Sequence, residues 1–313
     1  MARTFPYRVE RLNASNILDL IPLYREVFGK HVTPTYVTKK YDTAYLKVGF
    51  LGHIAYEGDK PVGYYGAVPF RITYQGQTEL AAQSGDAMTR PGYAGKGIFT
   101  HLGELTDALL VDEKVRFVYG WPNQNSYFGY VKKLHWVHKE NMQRYAIPVR
   151  SLPLEKASRA LKVLRPWYEQ RSARILDPLR SGHSRLDSSV VDSAWGGTLR
   201  DEAFFRYKSF LGNRLCEVAG VPVWLKADTR LLVGDMAVLP DAELLPVLQG
   251  LKQLAARLGL REVVFQVSPG APLDRFFSRH VPPIESWAIG YKNYSSDFPL
   301  DRLRFTYGDL DTF

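Results

Sequence analysis

Gly95 and Gly97, separated by one lysine, are the residues of this sequence most able to hold a phosphate group. Glycine adopts backbone conformations in which successive amides can point toward one place. An apolar pattern at Ile98, Leu102 and Leu105 predicts that a helix begins directly after Gly97. The first turn of a helix carries unpaired N–H groups and the positive end of the helix dipole. The spacing therefore predicts a backbone site for an anion, and a pyrophosphate fits it.

Two common phosphate-binding motifs do not match this spacing. The Gly95-Lys96-Gly97 turn lacks the third glycine of a dinucleotide-binding fingerprint. Its lysine lies between the glycines, whereas a nucleoside-triphosphate loop places a lysine after the last glycine. The turn thus favours a phosphate-bearing ligand of another class, and an ordinary surface turn is the alternative.

The elements that must position this turn follow a regular order. Periodicity and turn signals predict the order β-α-α-β-β-β-α-β-α-β between about residues 5 and 149. Hairpin signals between the predicted strands indicate a mostly antiparallel pairing. The predicted fold class is α/β in the α+β sense, a mixed and mostly antiparallel sheet flanked by helices.

The turn and its surroundings resemble the acyl-CoA loop of the GNAT (GCN5-related) N-acyltransferases. That loop is usually written Arg/Gln-x-x-Gly-x-Gly/Ala, and this chain has Ala94-Gly95-Lys96-Gly97-Ile98-Phe99. Ala94 and Phe99 depart from the pattern, and Phe99 is bulky where a small residue lets the helix approach closely. The element order is also that of a GNAT domain. The resemblance implies acetyl-CoA, or another acyl-CoA, as co-substrate, bound by residues of the preceding strand, the loop and the two following helices: Ala87, Met88, Thr89, Gly95, Lys96, Gly97, Ile98, Phe99, Thr100, Asn123 and Ser126.

The resemblance also implies direct attack of an amine on the thioester, which requires a base for the ammonium and an acid for the thiolate. Asp86 is the carboxylate nearest the expected thioester and is the candidate base if burial raises its pKa; a strand-end Asp bonded to its own backbone is the alternative. Tyr130 lies seven residues after Asn123, as a family acid should. Counting back from His135 is off by one, so Tyr127 stays a rival acid and a candidate substrate contact. Core packing of either ring is the alternative.

The second half of the chain has a similar but incomplete order. Predicted strands at 215–219, 223–227 and 231–239 precede a helix at 242–258, and a strand, a helix and a strand follow at 262–267, 273–280 and 287–291. This resembles a second GNAT-like half, but Pro240-Asp241-Ala242 stands where the glycine turn would be needed. We therefore expect an acyl-CoA-binding GNAT domain at 1–149, a basic helical linker at 150–195, and at 196–313 a degenerate GNAT-like domain that completes the acceptor site.

The predicted linker is rich in positive charge. Nine Lys or Arg and three acids lie between residues 150 and 185. Leu154, Leu161, Leu164 and Trp167 can share one side of a helix. A basic amphipathic helix on a membrane or on RNA is one interpretation. The favoured interpretation buries this apolar side on a domain and leaves the charges in solvent.

The end of the chain is apolar enough to pack. Phe305, Tyr307, Leu310 and Phe313 predict that it docks on the protein rather than frays. Tandem GNATs that bring their C-terminus into the active site imply substrate-binding roles for Asp309 and Asp311. They also imply that the terminal carboxylate of Phe313 can take the proton of the amine. A final edge strand with solvated acids is the alternative.

Composition limits the remaining classes. A chain of 313 residues with 45% hydrophobic content can bury two domain-sized cores. A single cysteine, Cys216, excludes an internal disulfide framework and fits a reducing compartment. The scattered histidines form no His-x-x-x-His pair, so we expect no metal. The first residues lack a signal-peptide core and no apolar run is long enough to span a bilayer, which predicts a soluble, cytoplasmic protein.

The net charge of +9 favours an anionic partner. The leading hypothesis is an acyl-CoA-dependent N-acyltransferase that acts on a small-molecule amine, extended to an amino sugar or a nucleotide-linked amino sugar. We expect neither a nucleic-acid nor a membrane partner, and a homodimer is left open. One alternative is an aminoacyl-tRNA-dependent transferase with tandem GNAT-like halves, against which the intact glycine turn argues. Another is a non-catalytic, GNAT-derived module that binds acyl-CoA.

Overall fold

The structure is a computed structural model that describes residues 5–313. These residues form two compact units. Unit 1 consists of the described residues up to Ile72, of Gln77–Glu140 and of Trp287–Asp301. Unit 2 consists of Thr73–Gly76, Asn141–Ser286 and Arg302–Phe313. Residues 1–4, which belong to the predicted first domain and to the segment without signal-peptide character, lie outside the described residues.

The first ten elements occur in the predicted order β-α-α-β-β-β-α-β-α-β, so that prediction is confirmed. Local signals set several ends: Gly29 caps the first helix in the left-handed region, and Thr33 with Pro34 begins the second. The elements are β1 (Arg8–Arg11), α1 (Leu20–Phe28), α2 (Pro34–Tyr41), β2 (Leu51–Glu57), β3 (Lys60–Tyr74), β4 (Gln77–Thr89), α3 (Ile98–Asp112), β5 (Phe117–Gly120), α4 (Gln124–Phe128) and β6 (Val137–Pro148).

Eleven further helices and strands follow β6. They are α5 (Leu154–Ala160), α6 (Arg165–Leu176), β7 (Gly197–Thr198), α7 (Glu202–Lys208), β8 (Arg214–Val218), β9 (Val221–Ala227), β10 (Leu231–Met236), α8 (Asp241–Leu258), β11 (Glu262–Val267), α9 (Pro272–Ser278) and β12 (Ile284–Asn293). The mixed, mostly antiparallel α/β fold class is confirmed.

The sheet of unit 1 has the strand order β1-β2-β3-β4-β5-β12. Strands β1, β2 and β3 pair antiparallel, whereas β4 and β5 are parallel and are connected by α3. The predicted strand at 287–291 was expected in the second half of the chain, and this is wrong, because β12 pairs antiparallel with β5 in unit 1. Local periodicity identifies such a strand but carries no information about a partner about 170 residues earlier.

The sheet of unit 2 has the order β6-β11-β10-β9-β8. Its strands β10 and β11 are parallel and are connected by α8, while the other neighbours are antiparallel. This local arrangement is the same as β4-α3-β5 of unit 1. Helix α8 starts after Pro240 rather than after a left-handed glycine. It packs apolar residues such as Val247, Leu251 and Leu258 into the core of unit 2.

The predicted linker contains two helices rather than one. A short 3-10 turn at Lys162–Leu164, followed by Pro166, separates α5 from α6 and breaks the helical register. The expected apolar side is therefore not buried as a unit: Leu161 and Trp167 are exposed, whereas Ile175 and Leu176 of α6 enter the core. Within residues 5–313, no helix combines the length and apolar character needed to cross a membrane.

Candidate functional site

The site begins where two parallel strands of unit 1 separate. Strands β4 and β5 pair only from Ala82–Val118 to Ser84–Gly120. Beyond Ser84, β4 continues for five more residues to Thr89, but β5 has ended. Among residues 5–313, no strand pairs with this part of β4 on its β5 side. A gap at the carboxyl ends of parallel strands is a common location for ligands, and an extended ligand can hydrogen-bond to the open strand edge.

The glycine turn lies between the end of β4 and α3. Gly95 and Gly97 adopt φ angles of 75° and 83°, in the left-handed region that favours glycine. A Cβ at either position would meet no atom within 4 Å, so the backbone conformation requires these glycines, not packing. Gly97 is the N-cap of α3 and contributes no side chain to its first turn. The amides at the start of α3 therefore stay available for an anion, as predicted for the turn.

A cavity of about 910 Å³ in unit 1 lies against the turn. Its wall is formed by the end of β4, the glycine turn, the first turns of α3 and the start of α4, with the end of α1 completing it. The lining residues are Val27, Phe28, Ala87, Thr89, Tyr93, Ala94, Gly95, Gly97, Ile98, Phe99, Thr100, His101, Glu104, Asn123, Asn125, Ser126, Gly129 and Lys133. The volume suffices for an extended organic ligand with a phosphate at the turn.

The structure brings nine of the predicted acyl-CoA-binding residues to this wall: Ala87, Thr89, Gly95, Gly97, Ile98, Phe99, Thr100, Asn123 and Ser126. The two others lie beside it. Met88 points into the core and is buried. The Lys96 ammonium lies over the Tyr93 ring, 4.4 Å from its centroid. Contact of these residues with acyl-CoA stays a prediction.

Sequence reasoning missed one side of the cavity. Val27 and Phe28 at the end of α1 face it although they precede the turn by about 70 residues, and an apolar helix end carries no motif. Glu104 and Lys133 add charge to the wall. Glu104 could have been found, because it lies one helical turn after Thr100 on α3.

Phe99, the bulkiest departure from the family loop, is accommodated by a glycine. A Cβ on Gly129 would lie 2.7 Å from the Phe99 ring. The ring packs against Tyr65 and Tyr130, with centroid distances of 5.4 and 5.3 Å. Gly129 thus makes the room that the family pattern provides with a small residue in α3.

Tyr130 lies behind this wall, in the helical segment that follows Asn123. It is buried, and its hydroxyl lies 2.9 Å from the Ser84 Oγ on β4. Residues Gly129–Lys133 form a π-helical turn, in which each hydrogen bond spans one residue more than in an α-helix. This extra residue accounts for the mismatch when Tyr130 is counted back from His135.

Tyr127 is placed differently. Its ring packs edge-on against His138, with centroids 5.7 Å apart. It does not line the cavity described above.

Asn123 begins α4, and its side chain accepts hydrogen bonds from the amides of Asn125 and Ser126, which explains why the helix starts there.

Asp86 lies on β4 with a left-handed φ of 56°, a strained conformation for a non-glycine residue. Its Oδ2 accepts hydrogen bonds from Tyr24 Oη at 2.5 Å and Tyr41 Oη at 2.9 Å, and it forms an ion pair with the buried Lys40. Burial alone would raise the pKa of Asp86, but the Lys40 charge and the hydrogen bonds from Lys40, Tyr24 and Tyr41 together lower it. The raised pKa that a base role requires is therefore absent.

These partners connect Asp86 to two helices. Tyr24 belongs to α1, and Lys40 and Tyr41 belong to α2. Because α1 carries Val27 and Phe28 and β4 carries Ala87 and Thr89, the Asp86 carboxylate ties together two elements that line the cavity. Asp86 itself does not line the cavity.

The predicted tail residues lie in unit 2. Phe305, Leu310 and Phe313 are buried, so the predicted docking of the tail is confirmed. Asp309 is buried and accepts hydrogen bonds from Arg200 at 2.8 Å. Asp311 is only partly exposed.

The terminal residue is part of the core of unit 2. The Phe313 ring packs against Trp224, with centroids 4.9 Å apart, and its carbonyl oxygen accepts a hydrogen bond from Asn213 Nδ2. The acceptor-site roles of Asp309, Asp311 and Phe313 stay predictions.

The structure supports neither a nucleophilic role for Cys216 nor a metal site within the described residues. Burial, more than any other influence, raises the pKa of the Cys216 thiol to about 11, so little thiolate forms at neutral pH. Across residues 5–313, no group of three or more His, Cys, Asp or Glu side chains could hold a metal ion.

Comparison with known families agrees with the geometry of unit 1. Residues 8–137 match the family model described as an acetyltransferase (GNAT) domain. This part of the chain is a GNAT domain. It contains the open edge of β4, the glycine turn and all of the predicted acyl-CoA contacts. No curated protein has a significant match to the sequence.

Solved structures share the fold of the GNAT domain and of the chain beyond it. A GCN5-related N-acetyltransferase from Kribbella flavida has a TM-score of 0.57 at 13% identity, covering 92% of this chain and 71% of its own. A protein from Enterococcus faecalis described as a probable N-acyltransferase has a TM-score of 0.56 at 14% identity. The match covers 92% of this chain and 72% of the Enterococcus chain. A provisionally assigned acetyltransferase from Pyrococcus horikoshii has a TM-score of 0.55 at 14% identity. The match covers 99% of this chain and 96% of the Pyrococcus chain. At these identities the likeness concerns the fold alone.

Proposed function

We propose that the protein is an acyl-CoA-dependent N-acyltransferase, with acetyl-CoA as the first donor to test. One observation carries the proposal: the open edge of β4 and the amides of the Gly95–Gly97 turn meet at a single cavity. The turn would bind the pyrophosphate, and the backbone of residues 86–89 would hydrogen-bond to the extended arm of the cofactor.

In the proposed reaction the nitrogen of a primary amine attacks the thioester carbonyl, a C–N bond forms, and the C–S bond breaks. The ammonium loses a proton before attack, and the departing thiolate gains one. Tyr130 is the candidate acid for the thiolate, supported by its hydrogen bond with Ser84 and by the π-helical turn that corrects its spacing. Its burial excludes water from competing for the proton.

Asp86 fits a positioning role better than the role of the base. With a lowered pKa it is a weak base at neutral pH. Its ties to α1 and α2 support a positioning role in which it holds together elements that line the cavity. The acceptor is proposed as a small primary amine, and the net charge of +9 supports one that carries phosphate, such as a nucleotide-linked amino sugar.

The test begins with calorimetry of acetyl-CoA binding to the full-length protein. Gly97→Asp should weaken binding by about tenfold or more, because it adds a negative charge where phosphates approach bare amides. Gly58→Asp is the matched control, since Gly58 also has a left-handed φ and open space around its Cβ position but lies in the β2–β3 turn. Equal loss in both variants, or no loss in Gly97→Asp, would contradict the assignment of the turn.

Activity is then measured as thiol release over amino sugars, polyamines, amino acids and peptides. Turnover of one amine class supports the enzyme and identifies its acceptor. Binding of acetyl-CoA without turnover on any amine would favour a non-catalytic acyl-CoA-binding module. Failure to bind CoA even at millimolar concentration would favour the aminoacyl-tRNA-dependent alternative.

A further inference from the structure

The turn between α5 and α6 in unit 2 presents large apolar side chains to solvent. Val163 is 83% exposed, Leu161 58% and Trp167 50%. Leu152, just before α5, is 75% exposed. Scattered single apolar residues on a surface need no explanation, but here four lie within 16 residues of sequence. We call residues 161–167 the apolar turn.

The apolar turn is surrounded by positive charge. Residues 154–174 contain six basic side chains and two acidic ones. Both acids are already paired, Glu155 with Arg159 and Arg165, and Glu169 with Arg165. The exposed Lys156 and Lys162 form no ion pair with any residue from 5 to 313. The surface thus combines exposed apolar groups with unneutralised cations.

Contrary to the expectation from the sequence, we propose that the apolar turn is a docking surface for a membrane that contains anionic phospholipids. Val163 and Leu161 would enter the boundary between headgroups and acyl chains, and Trp167, with its Arg171 guanidinium 6.0 Å from the ring centroid, would lie at the interface. Lys156 and Lys162 would reach the lipid phosphates, since a lysine can lay its apolar stem on the surface and extend its charge. Docking of this size is weak and reversible, and it leaves both units outside the bilayer.

Two other occupants fit the surface less well. A nucleic acid would use the lysines but would leave Leu161 and Val163 without a partner. A second copy of the chain would bring the same positive surface against itself, which like charges oppose, and each copy carries a net charge of +9. A lipid headgroup layer is the occupant that uses the apolar and the basic residues together.

The test is flotation of the full-length protein with vesicles of phosphatidylcholine, with and without phosphatidylserine, at low and high salt. We expect flotation only with phosphatidylserine, and less of it at high salt. Lys162→Glu should reduce the partition coefficient by at least about fivefold. The double variant Leu161→Ser and Val163→Ser should reduce it by roughly tenfold or more.

Matched controls come from the same unit. Val238→Ser removes an apolar side chain that is exposed elsewhere, and Arg206→Glu reverses an exposed charge outside the apolar turn. Both should float like the unmodified protein, and circular dichroism should show that every variant is folded. Absence of flotation, or equal flotation of the controls and the turn variants, would overturn the proposal.

Two further outcomes would also overturn it. If the protein binds polyuridylic acid and the serine double variant binds it equally well, the basic residues around the apolar turn serve to bind RNA. Self-association in size-exclusion chromatography that disappears in the serine double variant would assign the apolar turn to contact between copies.

Discussion

Tyr130 and Tyr127 lie three residues apart, yet Tyr130 is buried with its hydroxyl near Ser84, whereas the Tyr127 ring packs on His138. If Tyr130 protonates the thiolate, Tyr130→Phe should lower kcat by ~10²–10⁴-fold while acetyl-CoA affinity changes little. The measurement pairs thiol release with calorimetry. Tyr127→Phe is the control, because its ring packs on His138, whereas the Tyr130 hydroxyl lies beside Ser84 of β4. Full activity in Tyr130→Phe together with a loss in Tyr127→Phe would reverse the two assignments.

Asp86 provides a prediction about stability. Asp86→Asn leaves the buried Lys40 without its counter-charge and should lower the free energy of unfolding by about 3–5 kcal/mol. Denaturant unfolding measures the loss, and Asp59→Asn, an exposed turn residue, should change it little. Adding Lys40→Met to Asp86→Asn should recover most of the loss. A loss of activity with unchanged stability in Asp86→Asn would instead support the base role.

The pH dependence of this contribution has a definite sign. The pKa of Asp86 is lower in the folded protein than its ordinary value of 3.8, so the folded state favours the carboxylate. The stabilisation is complete above the unfolded pKa and is lost as the pH falls below it toward the folded pKa. Asp86→Asn should remove this acid-dependent part of the unfolding curve.

The identity of the site residues was easier to predict from the sequence than their contacts and the direction of their pKa shifts. Glycine φ values follow from the turn, because few other residues adopt them. The partners of Asp86 could not be predicted, because Tyr24, Lys40 and Tyr41 lie 45 to 62 residues away in sequence. Only the packing of α1 and α2 on β4 brings them together, and those partners decide the direction of the pKa shift.

At the scale of elements, the order of strands and helices followed from local periodicity and caps, whereas departures from regularity did not. The π-helical turn at Gly129–Lys133 is not indicated by periodicity or caps, and its one trace in the sequence is the one-residue mismatch between Tyr130 and His135. The break between α5 and α6 does have one, because Pro166 follows a 3-10 turn. The prediction that residues 154–167 share one side of a single helix is therefore wrong, because it did not take this proline into account.

The contact between β2 and α3 yields a pH prediction. Burial, followed by the charges of Arg11 and His101, lowers the pKa of His53 from 6.5 to about 4, and its Nδ1 lies 3.1 Å from Thr106 Oγ1 on α3. Between pH 6.5 and 4, His53 is protonated in the unfolded chain but stays neutral in the folded protein. The free energy of unfolding therefore decreases as the pH falls through this range.

Thermal melts across this window measure the effect. The melting temperature should fall less with acidification in His53→Gln than in the unmodified protein. His183→Gln is the control, because that histidine is exposed. Parallel pH profiles for all three proteins would show that His53 is not protonated differently in the folded state.

At the scale of the whole molecule, the end of the chain contributes to the core of unit 2. Phe313→Ala should lower the free energy of unfolding by about 3–5 kcal/mol, because the ring packs against Trp224 and fills the space above Gly234. Thr312→Ala, an exposed neighbour, should have little effect in the same denaturant titration. A variant that lacks Asp311–Phe313, still folds and binds acetyl-CoA but has lost turnover would support the predicted role of the chain end in the acceptor site.

The distribution of unit 1 along the chain has a consequence for biosynthesis. β12 pairs with β5, and its neighbourhood is fixed by Lys292 and Tyr294 on Asp107 and by Asp297 on Arg116. These residues are synthesised about 170 residues after β5. Until then β5 has an unpaired edge, which a neighbouring nascent chain can occupy. Unit 1, although its first strands are made early, can therefore complete its sheet only after β12 has been synthesised.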